Sequence, residues 1–264
     1  MLRWLMAVVF AFALSAALVA GPLEDGSDAL KRKDYEAALR LLKPLAQQGN
    51  AWAQYFIGVM HENGLGVAKD AKEAAVWYRK AAAQGMSVAE LNLGILYANG
   101  AGVAKDYAEA LRWFRLAAEK GEPVAMYEIG MAYLNGNGVA RDDGAALKWF
   151  RRAADMGYAK AQSNVGAMYG RGLGVAKNSA EALKWYRLAA GGGNAIALLN
   201  LGLMYRDGDG VGRDPVEALK WFALAAAVGD AQAQRSGQEL ATQMDEKQIN
   251  EAKQRRDSWL REHR

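Results

Sequence analysis

Apolar residues are distributed along this chain in two ways. From Trp4 to Ala20 they run unbroken except at Ser15. From residue 50 onward they come in clusters at helical spacing, one face of a helix at a time, and the clusters themselves recur every 36 residues. Gly58, Gly94, Gly130, Gly166 and Gly202 hold one register, Trp77, Trp113, Trp149, Trp185 and Trp221 a second, and Gly85, Gly121, Gly157, Gly193 and Gly229 a third. A fixed period of this length is the signature of an array of supersecondary units, none of which can bury its apolar face alone. The chain therefore divides into five copies, 50–85, 86–121, 122–157, 158–193 and 194–229.

The copy from Met86 to Gly121 shows what each position is for. Ala89, Leu93, Gly94, Leu96 and Tyr97 lie on one face of a first helix, which the pattern ends at Asn99-Gly100, where left-handed backbone favours glycine. Glycine inside a helix costs about 0.5–1 kcal/mol against alanine, so Gly94 needs a packing reason, and the spacing assigns it to room for Trp113. Gly102 turns the loop and Val103 returns to the core. Asp106 with Glu109 three residues on reads as a capping box opening a second helix. The pair recurs as Asp70/Glu73, Asn178/Glu181 and Asp214/Glu217, with Pro215 at the first helical position, whereas Asp142 is followed by Ala145 instead of an acid. Trp113, Phe114, Ala117 and Ala118 form the stripe expected to be buried. The predicted fold class is all-α: a right-handed α-solenoid of helix–turn–helix repeats without a sheet.

The register reaches beyond the full copies. Asp34, Leu41, Leu42, Ala46 and Gly49 occupy second-helix positions, so 27–49 reads as a degenerate N-terminal capping repeat, with Pro44 predicting a local kink. Residues 230–264 read as a C-terminal helical cap. Ala231, Ala233 and Leu240 continue an amphipathic helix, and Asp245-Glu246-Lys247-Gln248 start a last one running to about Glu262.

Composition narrows the chemistry. The chain is 52% hydrophobic and 23% charged, with formal net charge +4, pI about 9.1 and no cysteine. That removes disulfides, thiolate metal sites and a thiol nucleophile. Arg3 followed by the Trp4–Ala20 run and small residues describes a secretory signal peptide over residues 1–20, cleaved after Ala17 or Ala20. The alternative is an uncleaved anchor, since the run is near the lower limit for spanning a bilayer. Either way the repeats are expected outside the cytoplasm, periplasmic or secreted.

The order A-x-x-x-L-G-x-x-Y-x-x-G-x-G-V-x-x-D-x-x-x-A-x-x-W-[YF]-x-x-A-A-x-x-G, written here by Ala89 to Gly121 and its copies, resembles the Sel1-like repeat, a relative of the tetratricopeptide repeat. The resemblance implies a right-handed superhelix that assembles or regulates complexes. Related repeats line a concave face with their first helices. By that resemblance the candidate groove residues are Trp52, Tyr55 and Phe56, Leu91, Asn92 and Ile95, Tyr127 and Met131, Asn164 and Asn200, with the three asparagines placed to hydrogen-bond an extended peptide. Some secreted members of the family are described as binding penicillin-like molecules. Those carry paired cysteines in each repeat, and this chain has none.

The remaining candidates for chemistry are few. His61 replaces the repeat tyrosine of Tyr97, Tyr133, Tyr169 and Tyr205, and one histidine without a partner constellation makes no catalytic site. Two basic ladders run along the second helices, Arg112, Lys148, Lys184 and Lys220, then Arg79, Arg115, Arg151 and Arg187. Glu109, Glu181 and Glu217 lie three residues before Arg112, Lys184 and Lys220 and neutralise them. The pattern describes a solvated face with no stacked aromatics for nucleic acid. The sequence thus points to a non-enzymatic scaffold or adaptor of the cell envelope, without cofactor or metal, that binds a peptide or protein. A β-lactam-binding or weakly hydrolytic enzyme and a membrane-anchored envelope regulator are the alternatives. The first expected outcome concerns processing. N-terminal sequencing of the exported protein should begin between Leu18 and Pro22, whereas an intact Met1 on membrane-bound protein would establish the anchor.

Overall fold

The computed structural model describes residues 21–263, so the reading of residues 1–20 as signal or anchor lies outside the described residues. The described residues form fourteen helices and no strand. Two compact units divide the chain, one up to Glu122 and one from Pro123. The first holds α1 (Pro22–Lys31), α2 (Tyr35–Gln47), α3 (Ala51–Asn63), α4 (Ala71–Ala82), α5 (Ser87–Asn99) and α6 (Tyr107–Glu119). The second holds α7 (Pro123–Asn135), α8 (Asp143–Asp155), α9 (Ala159–Arg171), α10 (Ser179–Gly191), α11 (Ala195–Asp207), α12 (Pro215–Ala227), α13 (Ala231–Ala241) and α14 (Glu246–Glu262). In each unit consecutive helices pair as hairpins and each hairpin packs on the next, the tandem arrangement of an α-solenoid.

The hairpins close on a glycine. A methyl group added to Gly94 would lie 2.6 Å from the ring of Phe114, and one on Gly130 or Gly202 would lie 2.6 or 2.5 Å from Phe150 or Phe222. Tyr78 and Tyr186 stand in the same relation to Gly58 and Gly166, at 2.7 and 3.0 Å. The room at Gly94 is therefore taken by Phe114 and not, as the spacing suggested, by Trp113. Helical periodicity cannot separate two adjacent apolar residues, and the structure turns the second of them inward. Tyr78, Phe150 and Phe222 are wholly buried, whereas Trp149 is half-buried.

The second helices start differently from the expected capping box. The cap side chains do accept backbone N–H groups, Asp106 Oδ1 from Ala108 and Glu109 at 2.9 and 3.0 Å, Asn178 from Glu181 at 3.1 Å. The return bond is made elsewhere. The backbone N–H of Asp70, Asp106, Asp142, Asn178 and Asp214 donates to the carbonyl of His61, Tyr97, Tyr133, Tyr169 and Tyr205, at 2.8–3.0 Å. Each cap thus ties its helix to the first helix of the same hairpin. The acid freed by this arrangement serves other groups: Glu73 accepts from Trp77 Nε1 at 3.0 Å, and Glu109 holds Arg112.

Between hairpins the decisive residue is the second loop glycine. Gly102 has φ +71°, and a side chain there would run into the backbone carbonyl of Ala71, at the first turn of α4. Gly66 sits likewise on Tyr35, and in the second unit Gly174 on Asp143 and Gly210 on Ser179. These four loops are seated against the first turn of the preceding second helix. Gly49, at φ +97°, has nothing within 4 Å of an added methyl. Gly49→Ala should therefore cost about 1 kcal/mol for the left-handed backbone alone, and Gly102→Ala about 2–4 kcal/mol because overpacking is added. Denaturant unfolding of both variants measures the difference, and equal losses would contradict loop docking.

Candidate protein-binding face

In the first unit α3 and α5 present the sequence-predicted residues. Trp52, Tyr55 and Phe56 form one aromatic cluster, Trp52 set edge-on to Tyr55 at 6.1 Å and tilted over Phe56 at 5.9 Å, with Tyr55 5.8 Å from Tyr78. Tyr55, Phe56 and Leu91 are buried, at 8%, 7% and 8% exposure, so they pack within the array instead of lining an open groove. Trp52, Asn92 and Ile95 are half-buried and stay within reach of a partner. Burial pushes the Tyr55 hydroxyl up to about 12, the Glu62 carboxylate adds to the shift, and a hydrogen bond with Asn92 works against it. Tyr78 is raised in the same way and donates its hydroxyl proton to Glu62 Oε2 at 2.6 Å.

The second unit repeats the scheme with different chemistry. Tyr127 packs between Phe150 at 5.5 Å and the edge of Tyr158 at 5.3 Å. Asn164 hydrogen-bonds Tyr127 and brings Nδ2 within 3.6 Å of Met131 Sδ. Burial raises the Glu128 carboxyl, with Lys160 opposing the shift. Tyr127, Met131, Asn164 and Asn200 are all half-buried. The asparagines expected to serve a peptide have employment already. Asn92 and Asn164 bridge to the tyrosine of the preceding first helix, and Asn200 donates to the carbonyl of Ile196 in its own helix at 2.7 Å.

The second helices show the charge pairing read from the spacing. Arg112 holds Glu109 through two bonds of 3.0 and 2.7 Å, Lys184 lies 3.9 Å from Glu181, and Lys220 pairs with Glu217. The other ladder does something the sequence reading missed. Arg79 donates to the hydroxyl of Tyr97 at 3.0 Å, Arg151 to Tyr169 at 3.4 Å, and Arg187 to Tyr205. These arginines reach forward to the next hairpin, and their constant 18-residue offset from the tyrosines was the available signal. His61 stands in that tyrosine position, half-buried, with Nδ1 enclosed and unpartnered. A second missed contact has an offset of 30 residues. Gln84 donates to buried Gln54 at 2.8 Å, and Lys120 to buried Glu90 at 2.5 Å. Among the described residues no group of three or more His, Asp or Glu is placed to hold a metal ion. Among the described residues, Arg206, Asp207, Arg213, Ser236, Glu239, Leu240 and Gln243 line a pocket of mostly polar side chains.

Hairpins closed on glycine, loops seated on the preceding hairpin and a variable first-helix face define an α-helical repeat protein built around surface instead of a cavity. Comparison with known proteins places it further. The Sel1 repeat model matches residues 13–50, 53–86, 87–122, 123–158, 159–194 and 195–230, and the chain belongs to the Sel1 repeat family. The first matched segment includes the stretch read from the sequence as a degenerate cap. A Sel1 repeat protein from Oxalobacter formigenes is similar over 80% of this chain and 87% of its own, with 36% identity and a TM-score of 0.73. A protective antigen present in uropathogenic Escherichia coli, displaying the same fold, aligns with all of this chain at 33% identity and a TM-score of 0.81, and the chain spans 56% of its length. An immunity protein from Pseudomonas aeruginosa shares the fold at 19% identity and a TM-score of 0.51. No curated protein matches the chain. Sel1 repeats generally mediate protein–protein interactions, and their folds are typically non-catalytic scaffolds.

The buried phenols give the site a pH signature. A Tyr55 pKa raised to about 12 means the folded state holds the proton more tightly than the unfolded chain. Its contribution is complete below the ordinary tyrosine pKa of about 10 and is lost as pH rises through the folded value. Urea midpoints measured across that window should fall less steeply for Tyr55→Phe than for the wild type, and parallel curves would contradict the burial of this hydroxyl.

Proposed function

We propose that this protein is a non-catalytic interaction scaffold of the cell envelope, exported through residues 1–20, that holds a peptide or protein along its first-helix face, the concave groove of the array. The observation that carries the reading is a division of labour between helices. Second helices repeat the same buried aromatic and alanine stripe, and three of them the same paired charges. First-helix positions instead change from repeat to repeat: Trp52, Val88, Val124, Lys160 and Ile196 share one register, and Phe56, Asn92, Glu128, Asn164 and Asn200 another. Half-buried aromatic and apolar side chains on a rigid frame are the residues that dominate protein interfaces. The basic start and apolar run of residues 1–20 support a location outside the cytoplasm. The same reading holds for an anchored envelope regulator, which would differ only in the fate of residues 1–20.

Affinity capture from an envelope extract tests the assignment. Trp52→Ala with Ile95→Ala, or Tyr127→Ala with Met131→Ala, should weaken capture of the partner about tenfold or more, equivalent to about 1.4 kcal/mol, with helicity unchanged. Reversing Arg112, Lys148 and Lys184 to glutamate should have little effect. The opposite result would move the site to the second helices and favour an anionic partner.

A further inference from the structure

The last helix is unlike the others both in how it starts and in what holds it. Second helices of the repeats depend on the preceding helix to satisfy the N–H of their cap residue. α14 needs no such help. Asp245 Oδ1 accepts from the N–H of Gln248 at 2.8 Å, and Gln248 Oε1 accepts from the N–H of Asp245 at 3.0 Å, a complete capping box within one turn. Of the 17 residues of α14 only Ala252 is buried.

Its attachment to α12 is compact and largely polar. Arg255 reaches Asp214 at 3.1 Å, Glu217 at 3.2 Å and, on its own helix, Glu251 at 2.5 Å. One turn on, Trp259 sets its ring edge to Trp221 at 5.8 Å, and His263 stacks on Trp259 at 4.2 Å. The position of Arg255 is informative. Asp214 and Glu217 form the first turn of α12, the place that the second loop glycine of the following hairpin covers on α4, α8 and α10. No hairpin of that kind follows α12, and Arg255 covers the turn instead. α13 is fixed differently, by buried Ala233, Gly237 and Leu240, with Gly237 close enough to Phe222 that an added methyl would lie 3.3 Å from it.

We infer that α14 is a detachable latch: a self-standing helix that closes the end of the last repeat through Arg255 and Trp259, and that swings away as a unit about residues 242–245 while α11, α12 and α13 stay folded. Opening uncovers Trp221 together with the carboxylates of Asp214 and Glu217. Two physical features make the motion local. Because the helix caps itself, undocking does not orphan its N-terminal N–H groups. The ionic contacts to α12 are partly exposed, Arg255 at 38% and Asp214 at 36% with Glu217 at 15%, so salt weakens them, and Trp259 is the half-buried aromatic that α14 packs against the core cluster of the last two repeats. Elements with few buried apolar contacts open well below the global unfolding free energy.

Amide hydrogen exchange on the intact chain, resolved by mass spectrometry, tests the latch. In the wild type the amides of α14 should exchange about tenfold or more faster than those of α12, and raising the salt concentration should speed α14 alone. Arg255→Gln and Trp259→Ala should each add a further acceleration of about tenfold in α14 with α11–α13 unchanged. If α12 accelerates in step with α14, the helix is an inseparable part of the last repeat and the latch is wrong. If neither salt nor Arg255→Gln changes α14, the ionic contacts do not hold it, and the proposal is equally overturned. The salt arm needs no variant, so a misfolding substitution would not obscure the answer.

Discussion

The whole structure depends on how closely two helices can approach at a glycine. Gly94, Gly130 and Gly202 let a phenyl ring of the second helix lie where a β-carbon would otherwise be, and Gly58 and Gly166 do the same for a tyrosine. A side chain at those positions would push the helices apart, and interiors packed at crystalline density do not absorb such a displacement. Once the hairpin is closed, the cap residue of the second helix lies beside the first, so its N–H finds the carbonyl of Tyr97 or its equivalents. The loop that joins the helices is thereby held in the shape that seats Gly102, Gly174 or Gly210 on the preceding hairpin. Forward-reaching arginines and the polar pairs Gln54–Gln84 and Glu90–Lys120 then fasten neighbours that are already in contact.

Much of this was legible because each repeat states the same requirement again. The period, the helix ends at Gly64, Gly100, Gly172 and Gly208, and the i,i+3 charge pairs need only local geometry, and the structure has all of them. What was hidden depends on a choice between neighbours. Trp113 and Phe114 are equally apolar and one position apart, so periodicity cannot say which ring faces Gly94. The acid three residues after four of the five caps looked committed to a return bond, but a carbonyl from the first helix is a competing acceptor that sequence does not display. Asn92 and Asn164 looked available to a peptide for the same reason: the tyrosines that occupy them lie on another hairpin. Tyr55, Phe56 and Leu91 are buried in the array itself, which narrows the reachable part of the candidate face to Trp52, Ile95, Asn92 and, in the second unit, Tyr127, Met131, Asn164 and Asn200.

That narrowing bears on function. A frame in which the second helices and loops are committed to holding the array leaves variation to the first helices, where it does not disturb closure. Each hairpin can then carry a different half-buried residue at little cost in stability, which is how a repeat protein acquires a specific partner without acquiring a cavity. Membership of the Sel1 repeat family fits an interaction scaffold, and the placement of the partner on the first helices is the part proposed here.

Site-specific photo-crosslinking in living cells tests that placement most directly. A photoreactive amino acid at Trp52, Ile95 or Met131 should capture a protein partner, and the same probe at Lys148, Lys184 or Arg112 should not. Crosslinks formed only from the second-helix positions, with none from the first helices, would contradict the account.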